Sequence, residues 1–168
     1  MIRRYVLSVL VKNHPGVLSR IAGLFARRGY NITSLTVGET EVSEFSRMTI
    51  ELDGDEYILE QIKNQLNKLI DVIHTKELRS GEAVLRELVL AKVGANDKTR
   101  PAVVEIANIF RAKVVDVAEE SIILEMTGSQ EKVDAFLKLM KKYGLFELSR
   151  TGITALGRGV DTMRKGNA

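Results

Sequence analysis

The feature that most constrains this chain is an order of elements that occurs twice. Tyr5 to Val11 is strand-like, with Tyr5, Leu7, Val9 and Val11 on one face and Val6 and Leu10 on the other. The run stops at Asn13-His14-Pro15-Gly16. Val17, Leu18, Ile21, Ala22, Leu24 and Phe25 then recur at helical spacing, and Pro15 suits a helix entry. Arg27-Arg28-Gly29 is the matching stop, with basic residues in the last turn and glycine at the cap. Asn31 to Val37 is β-rich, and Gly38 to Glu44 is a polar hairpin loop. Arg47 to Leu52 alternates apolar and polar. Asp53-Gly54-Asp55 starts a helix with the stripe Ile58, Leu59, Ile62, Leu66, Leu69 and Ile70. Val72 to Leu78 reads as a final strand. Strand, helix, strand, strand, helix, strand is the split βαβ, or ferredoxin-like, arrangement of an α+β fold.

The second half repeats the order: a strand over Leu85–Val93 and a helix through Val103, Val104, Ile106, Ala107, Ile109 and Phe110. Val114–Val117 and Ile122–Met126 pair around Glu119-Glu120, a helix carries Val133, Phe136, Leu137 and Met140, and a strand from Leu145 to Leu156 is interrupted at Gly152. Ile21-Ala22 and Phe25 recur as Ile106-Ala107 and Phe110 at one ungapped offset of 85. The expected organisation is therefore a domain over 1–80, a second ferredoxin-like domain over 81–160 and a frayed tail over 161–168. Strands that are apolar on both faces, in halves of roughly 80 residues, predict a homodimer or higher oligomer joined at sheet edges or faces.

Composition narrows the function. The 168 residues carry 25 basic and 22 acidic side chains, a net charge of +3, which argues against a dedicated nucleic-acid binder. There is no cysteine, and the two histidines are His14 and His74. Disulfide scaffolds, thiolate metal sites and cysteine nucleophiles are thus excluded. No apolar run reaches the roughly 20 residues that span a bilayer, and no secretory leader pattern opens the chain. These features point to the cytoplasm. No phosphate loop of the GxxxxGK type or GxSxG elbow occurs, so catalysis by this chain is not expected. An RNA-binding module of this fold would carry stacking aromatics on a central strand, and Arg47 to Leu52 has none.

One loop remains. The first N–H groups of a helix have no partner inside it, and with the helix dipole they suit a small anion or carboxylate. Gly16 lets a ligand approach the backbone. Asn13 can receive an ammonium group, Val17 and Leu18 offer aliphatic surface, and Asn31 opens the next strand. Such a site fits a neutral zwitterion with an aliphatic side chain; the same residues also make an ordinary strand-to-helix turn. At the offset of 85, Asn13, Gly16 and Asn31 fall on Lys98, Pro101 and Asp116, which assigns any ligand to the first half.

The stretch LSVLVKNHPGVLSRIAGLFARRGYNITSLTVGETE, followed by SRMTIEL and QLNKLIDV, resembles the small regulatory subunit of acetolactate synthase (acetohydroxyacid synthase). RELVLAKV, EIANIFRAKVVDV and SRTGITALGRG extend the resemblance through the second half. It implies an ACT domain in the first half and a role in branched-chain amino acid synthesis. The family's separate catalytic subunit uses thiamine diphosphate, magnesium and FAD; no cofactor is implied for this chain. The resemblance implies that this chain activates that subunit and confers inhibition by valine. By position, the effector would meet Asn13, Gly16, Val17 and Leu18 of one chain and Asn31 and Ile32 of the facing chain. His14 and Pro15 would shape the loop, and Arg158, Arg164 and Lys165 are candidates for docking the partner. A free-standing amino-acid sensor acting on another system stays open as the alternative.

Overall fold

The computed structural model describes residues 1–164, and the chain forms two compact units. The first comprises Met1–Val84 together with the chain from Ile153 on; the second is Leu85–Gly152.

In the first unit the order is β1 (Arg3–Lys12), α1 (Val17–Arg28), β2 (Ile32–Glu39), β3 (Phe45–Gly54), α2 (Glu56–Asn67) and β4 (Val72–Glu77). The sheet order is β2-β3-β1-β4, with all pairs antiparallel. This is the ferredoxin-like order that the element pattern predicts. The alternation of β1 sends Tyr5, Leu7, Val9 and Val11 to the helix side. There they meet Met48, Ile50 and Leu52 of β3, Val17, Ile21, Leu24 and Phe25 of α1, and Leu59, Ile62 and Leu66 of α2. Burial of this set supplies most of the unit's driving force, at about 25 cal/mol per Å² of apolar surface. The side chain of Asp55 caps α2 by accepting from Ile58 N at 2.8 Å, a contact contributing about 1 kcal/mol. Ile70, expected in the α2 stripe, is past the helix end and exposed.

The helix-free face of this sheet shows where tertiary structure departs from expectation. Val6, Ser8 and Leu10 of β1 are buried too. The segment from Ile153, which the sequence places in the second half, bonds to this unit. Ile153 N donates to Ser34 Oγ at 3.1 Å, and Thr36 Oγ1 donates to Ile153 O at 2.9 Å. Ile153, Ala155 and Met163 are buried. Both faces of β1 are thus buried within the one chain.

The single strand expected over Leu145–Leu156 is two, β8 (Leu145–Arg150) and β9 (Thr154–Gly157), separated around Gly152. Residues 161–164, expected in the frayed tail, are not simply frayed. Met163 Sδ accepts from Ser8 Oγ at 3.0 Å and from Arg47 Nη1 at 3.2 Å, and Arg164 pairs with Glu41 at 2.6 Å. Residues 165–168, including Lys165, lie outside the described residues, and so does that part of the expected flexible tail.

The second unit contains most of β5 (Ala83–Gly94), then α3 (Arg100–Ile109), β6 (Lys113–Val117), β7 (Ser121–Gly128), α4 (Gln130–Met140) and β8, with sheet order β6-β7-β5-β8. Its core joins Val89, Ala91 and Val93 to Ile122, Leu124 and Met126, under Val103 and Ala107 of α3 and Val133, Phe136, Leu137 and Met140 of α4. Along the path β6-β7-β5-β8 the five-stranded second sheet repeats the strand order of the first, so the repeat holds at the level of topology. The ungapped alignment does not. Ala22 is exposed whereas Ala107 is buried. Burial instead equates Val17 and Ile21 with Val103 and Ala107, one residue further along. On that phase Asn13 and Gly16 correspond to Thr99 and Ala102, so the halves still differ at both positions.

Candidate functional site

The loop between β1 and α1 is built as its residue types require. Asn13 N–H donates to Glu44 O at 2.8 Å, which holds the end of β1 against the β2–β3 hairpin. Gly16 occupies the N-cap of α1 with φ +83° and ψ −7°, a left-handed conformation that costs a side-chain-bearing residue about 1–2 kcal/mol. A Cβ built there would meet nothing within 4 Å, so glycine serves the backbone and leaves open space above it. Among the described residues no side chain caps α1, and no acidic residue stands in its first turn. The N–H groups of Leu18 and Ser19 therefore face outward at the positive end of the helix dipole, as helix geometry dictates.

Asn13 is oriented by the hairpin. Its Nδ2 donates to Ser43 O at 3.0 Å and to Glu39 Oε2 at 3.5 Å. With the amide nitrogen committed, Oδ1 is the acceptor the side chain offers to an incoming donor. The hairpin is itself braced: Thr40 Oγ1 donates to Val42 O at 2.9 Å and accepts from Val42 N at 3.2 Å. On the other flank, Lys12 N donates to Asp71 O at 2.8 Å, and Arg20 of α1 pairs with Asp71 at 2.6 Å. The loop is thus fixed at both sides while His14, Pro15 and Gly16 stay exposed.

The candidate residues divide into two groups. Asn13, Gly16 and Leu18 surround the start of α1, with Leu18 44% exposed. Val17 lies at the same place, but its side chain is in the core, so only its backbone faces the loop. Asn31 and Ile32 stand beyond the other end of α1, and Ile32 packs partly against the core opposite Leu52. The 12 residues of α1 put about 18 Å between the two groups. One small ligand cannot touch both within a single chain. Sequence reasoning missed Ser43, Glu39 and Glu44, which reach Asn13 from about 30 residues away in a loop with no periodic signal.

Among the described residues no helix is long and apolar enough to cross a membrane. His74 lies exposed on β4 opposite Leu10.

Two family models match the chain. Residues 7–74 match the AHAS small subunit-like ACT domain, and residues 86–159 match the small subunit of acetolactate synthase. The acetolactate synthase small subunit of Mycolicibacterium smegmatis is 49% identical over 155 residues, which is 92% of this chain and 91% of that one. The counterpart in Mycobacterium avium is 53% identical over 137 residues, 82% of each. The crystal structure of the acetolactate synthase small subunit from Thermotoga maritima superposes with a TM-score of 0.86 at 40% identity, covering 95% of this chain and 99% of that one. An uncapped α1 on a two-part ferredoxin-like scaffold, matched along nearly its whole length, leads to one conclusion: the chain belongs to the acetolactate synthase small subunit family.

Proposed function

We propose that this chain is the regulatory subunit of an acetolactate synthase. In this reading it raises the activity of a thiamine diphosphate-dependent catalytic subunit and confers feedback inhibition by valine. The effector's carboxylate sits on the free N–H groups of α1 above Gly16, and its ammonium group meets Oδ1 of Asn13. Leu18 borders its aliphatic side chain. Asn31 and Ile32 of a second copy complete the site.

The observation that carries this reading is the open start of α1, which has neither a capping side chain nor a first-turn acid and is bordered by an Asn13 whose nitrogen is already engaged. An internal carboxylate would compete for the same N–H groups; a ligand carboxylate satisfies them. The separation of Asn13 from Asn31 along α1 supports a site shared between two copies rather than one closed within a chain.

Magnitudes are compatible. A ligand of about eight heavy atoms has a ceiling near 12 kcal/mol, so micromolar to millimolar affinity is accessible. Coupling between sites of about 1–3 kcal/mol gives roughly 5- to 150-fold effects. Leucine and isoleucine each add one methylene to valine, worth about 1–3 kcal/mol, and are isomers of each other, so discrimination among the three is modest.

The test is reconstitution with the catalytic subunit, with and without each branched-chain amino acid. The reading requires a higher rate on adding this chain and a fall in that rate on adding valine. A rate indifferent to this chain would overturn the assignment, and a raised rate indifferent to all three amino acids would overturn the effector site alone.

A further inference from the structure

We propose that the cavity between the β2–β3 face and the chain at Thr154–Leu156 binds a short aliphatic monocarboxylate that carries no ammonium group. The observation behind it is the juxtaposition of a half-buried Arg47 that has no acidic partner and a buried Thr49 whose hydroxyl makes no hydrogen bond, among the described residues.

The cavity measures about 250 Å³, and every residue that lines it belongs to the first unit. Strand register sorts its walls. Arg47 of β3 lies opposite Gly38 of β2, and Thr49 opposite Thr36, so these four residues share the helix-free face. Glu39 is one residue out of phase, opposite Ser46, and its side chain reaches Asn13 instead. Gly38 leaves room, since a Cβ built on it would meet nothing within 4 Å. Leu156, 60% exposed, gives the cavity an apolar wall.

Arg47 is fastened by one nitrogen. Its Nη1 donates to Ser8 Oγ at 2.7 Å and to Met163 Sδ at 3.2 Å, while Nε and Nη2 have no partner among the described residues. The Nε–Nη2 edge of a guanidinium is a fork that takes a carboxylate through two parallel hydrogen bonds. The nearby acids are committed elsewhere: Glu41 pairs with Arg164 at 2.6 Å, and Glu51, further along the same face, with Arg4 at 3.5 Å. A guanidinium drawn partly out of water without a counter-charge is costly, and a bound anion relieves that cost. Thr49 is 2% exposed, yet its hydroxyl has no partner among the described residues and lines the cavity. Buried hydroxyls are nearly always bonded, so this one calls for a ligand oxygen. The bonds to Ser8 and Met163 hold Arg47 before any ligand arrives, which lowers the ordering cost of binding.

The same groups set the ligand class. One cation without a counter-charge matches a single negative charge. An ammonium group would find no open carboxylate on this face and would stand beside Arg47. Leu156 suits a short aliphatic tail. The site thus differs in chemistry from the amino-acid site at α1 and does not rest on it.

The experiment titrates butyrate into the isotopically labelled full chain at fixed ionic strength and follows the backbone amides and the Arg47 Nε–H by NMR. Saturable shifts are expected at Gly38, Arg47 and Thr49. Arg47→Gln, and Arg47→Lys, which keeps the charge without the fork, should each weaken binding about 10- to 100-fold. Thr49→Val keeps the branched shape and should weaken it about 5- to 10-fold. Gly38→Leu, which fills the cavity, should abolish the shifts. α-Aminobutyrate, which differs from butyrate only by its ammonium group, and inorganic phosphate should move these signals only at concentrations about tenfold higher or more. Shifts no larger than those from chloride would overturn the proposal. So would unaltered midpoints in Arg47→Lys and Thr49→Val, or phosphate or α-aminobutyrate as effective as butyrate. Valine, read at Asn13 and Leu18 in the same spectra, reports the α1 site separately, so failure here leaves the effector site untouched.

Discussion

Asn13 Nδ2 and the main-chain carbonyl of Ser43 stand 3.0 Å apart, which ties the start of the α1 loop to a hairpin 30 residues further along. The contact sets which end of the carboxamide is free. A donor to Ser43 leaves an acceptor for an ammonium group; the reverse orientation would repel one.

Replacement of this group tests both functions. Asn13→Ala is expected to lower stability by less than about 1 kcal/mol, because the lost hydrogen bond is solvent-exposed. Valine affinity should fall about 10- to 150-fold, the equivalent of one hydrogen bond to a charged group, about 1.5–3 kcal/mol. Asn13→Asp should fare no better, since a carboxylate cannot donate to Ser43 and faces Glu39. Titration calorimetry checks the first change, and activation of the catalytic subunit should be unaltered in both variants. Unaltered valine binding in the two variants would remove Asn13 from the site.

Gly16 separates strain from occupancy. Gly16→Ala meets no atom but must hold φ near +83°, and should cost about 1–2 kcal/mol in denaturant unfolding. Gly16→Asp bears the same strain, yet its carboxylate can take up the open N–H groups of α1, which recovers part of the loss. Valine response should disappear in Gly16→Asp because the ligand's place at the helix start is filled. Retained valine inhibition in that variant would show that the ligand carboxylate binds elsewhere.

In the second unit, Glu87 is 3% exposed and its carboxylate is held by Arg150, whose Nε donates to Oε2 at 3.2 Å. Arg150→Met keeps the aliphatic volume and removes the partner. A loss of about 3 kcal/mol is expected, because the carboxylate stays buried without its counter-charge. The double variant with Glu87→Leu should recover most of it. Chemical denaturation followed by amide exchange in β5 and β8 reads the effect; equal stability of wild type and Arg150→Met would contradict it.

The cover over the helix-free face of the first sheet offers a contrast. Met163 is buried against Ser8 and Arg47, whereas Arg164 pairs with Glu41 in the open. Met163→Ala is expected to cost about 2 kcal/mol and Arg164→Ala no more than about 1 kcal/mol. Thermal unfolding in which the arginine variant loses more would reverse this order.

The Arg4 guanidinium, hydrogen-bonded to Asp53, holds that carboxyl below its ordinary value. A depressed carboxylate favours the folded state above the ordinary Asp range, and the contribution fades as pH falls through the lowered folded value. The Asp53 side-chain carbon resonance should therefore titrate at lower pH in the wild type than in Arg4→Ala. Identical midpoints would mean that the pair does not persist in solution.

Much of this protein was legible from periodicity. The strand and helix patterns specify both ferredoxin-like halves because each element presents one apolar stripe or face, and only a layered sheet and helix pair buries them together. The α1 loop was legible for the same local reason: a proline–glycine break between strand and helix leaves N–H groups exposed. Tertiary structure alone decided the rest. The chain from Ile153 packs onto the first unit, where it bonds Ser34 and Thr36 of β2 and Ser8 of β1. Ser43 turns Asn13. The buried phase of α3 shifts by one residue from that implied by its identities with α1. Each of these depends on contacts between residues far apart in the chain, whose geometry no local pattern encodes. Local sequence selects the shape of each element, and packing between distant elements selects which faces remain for a ligand or a partner.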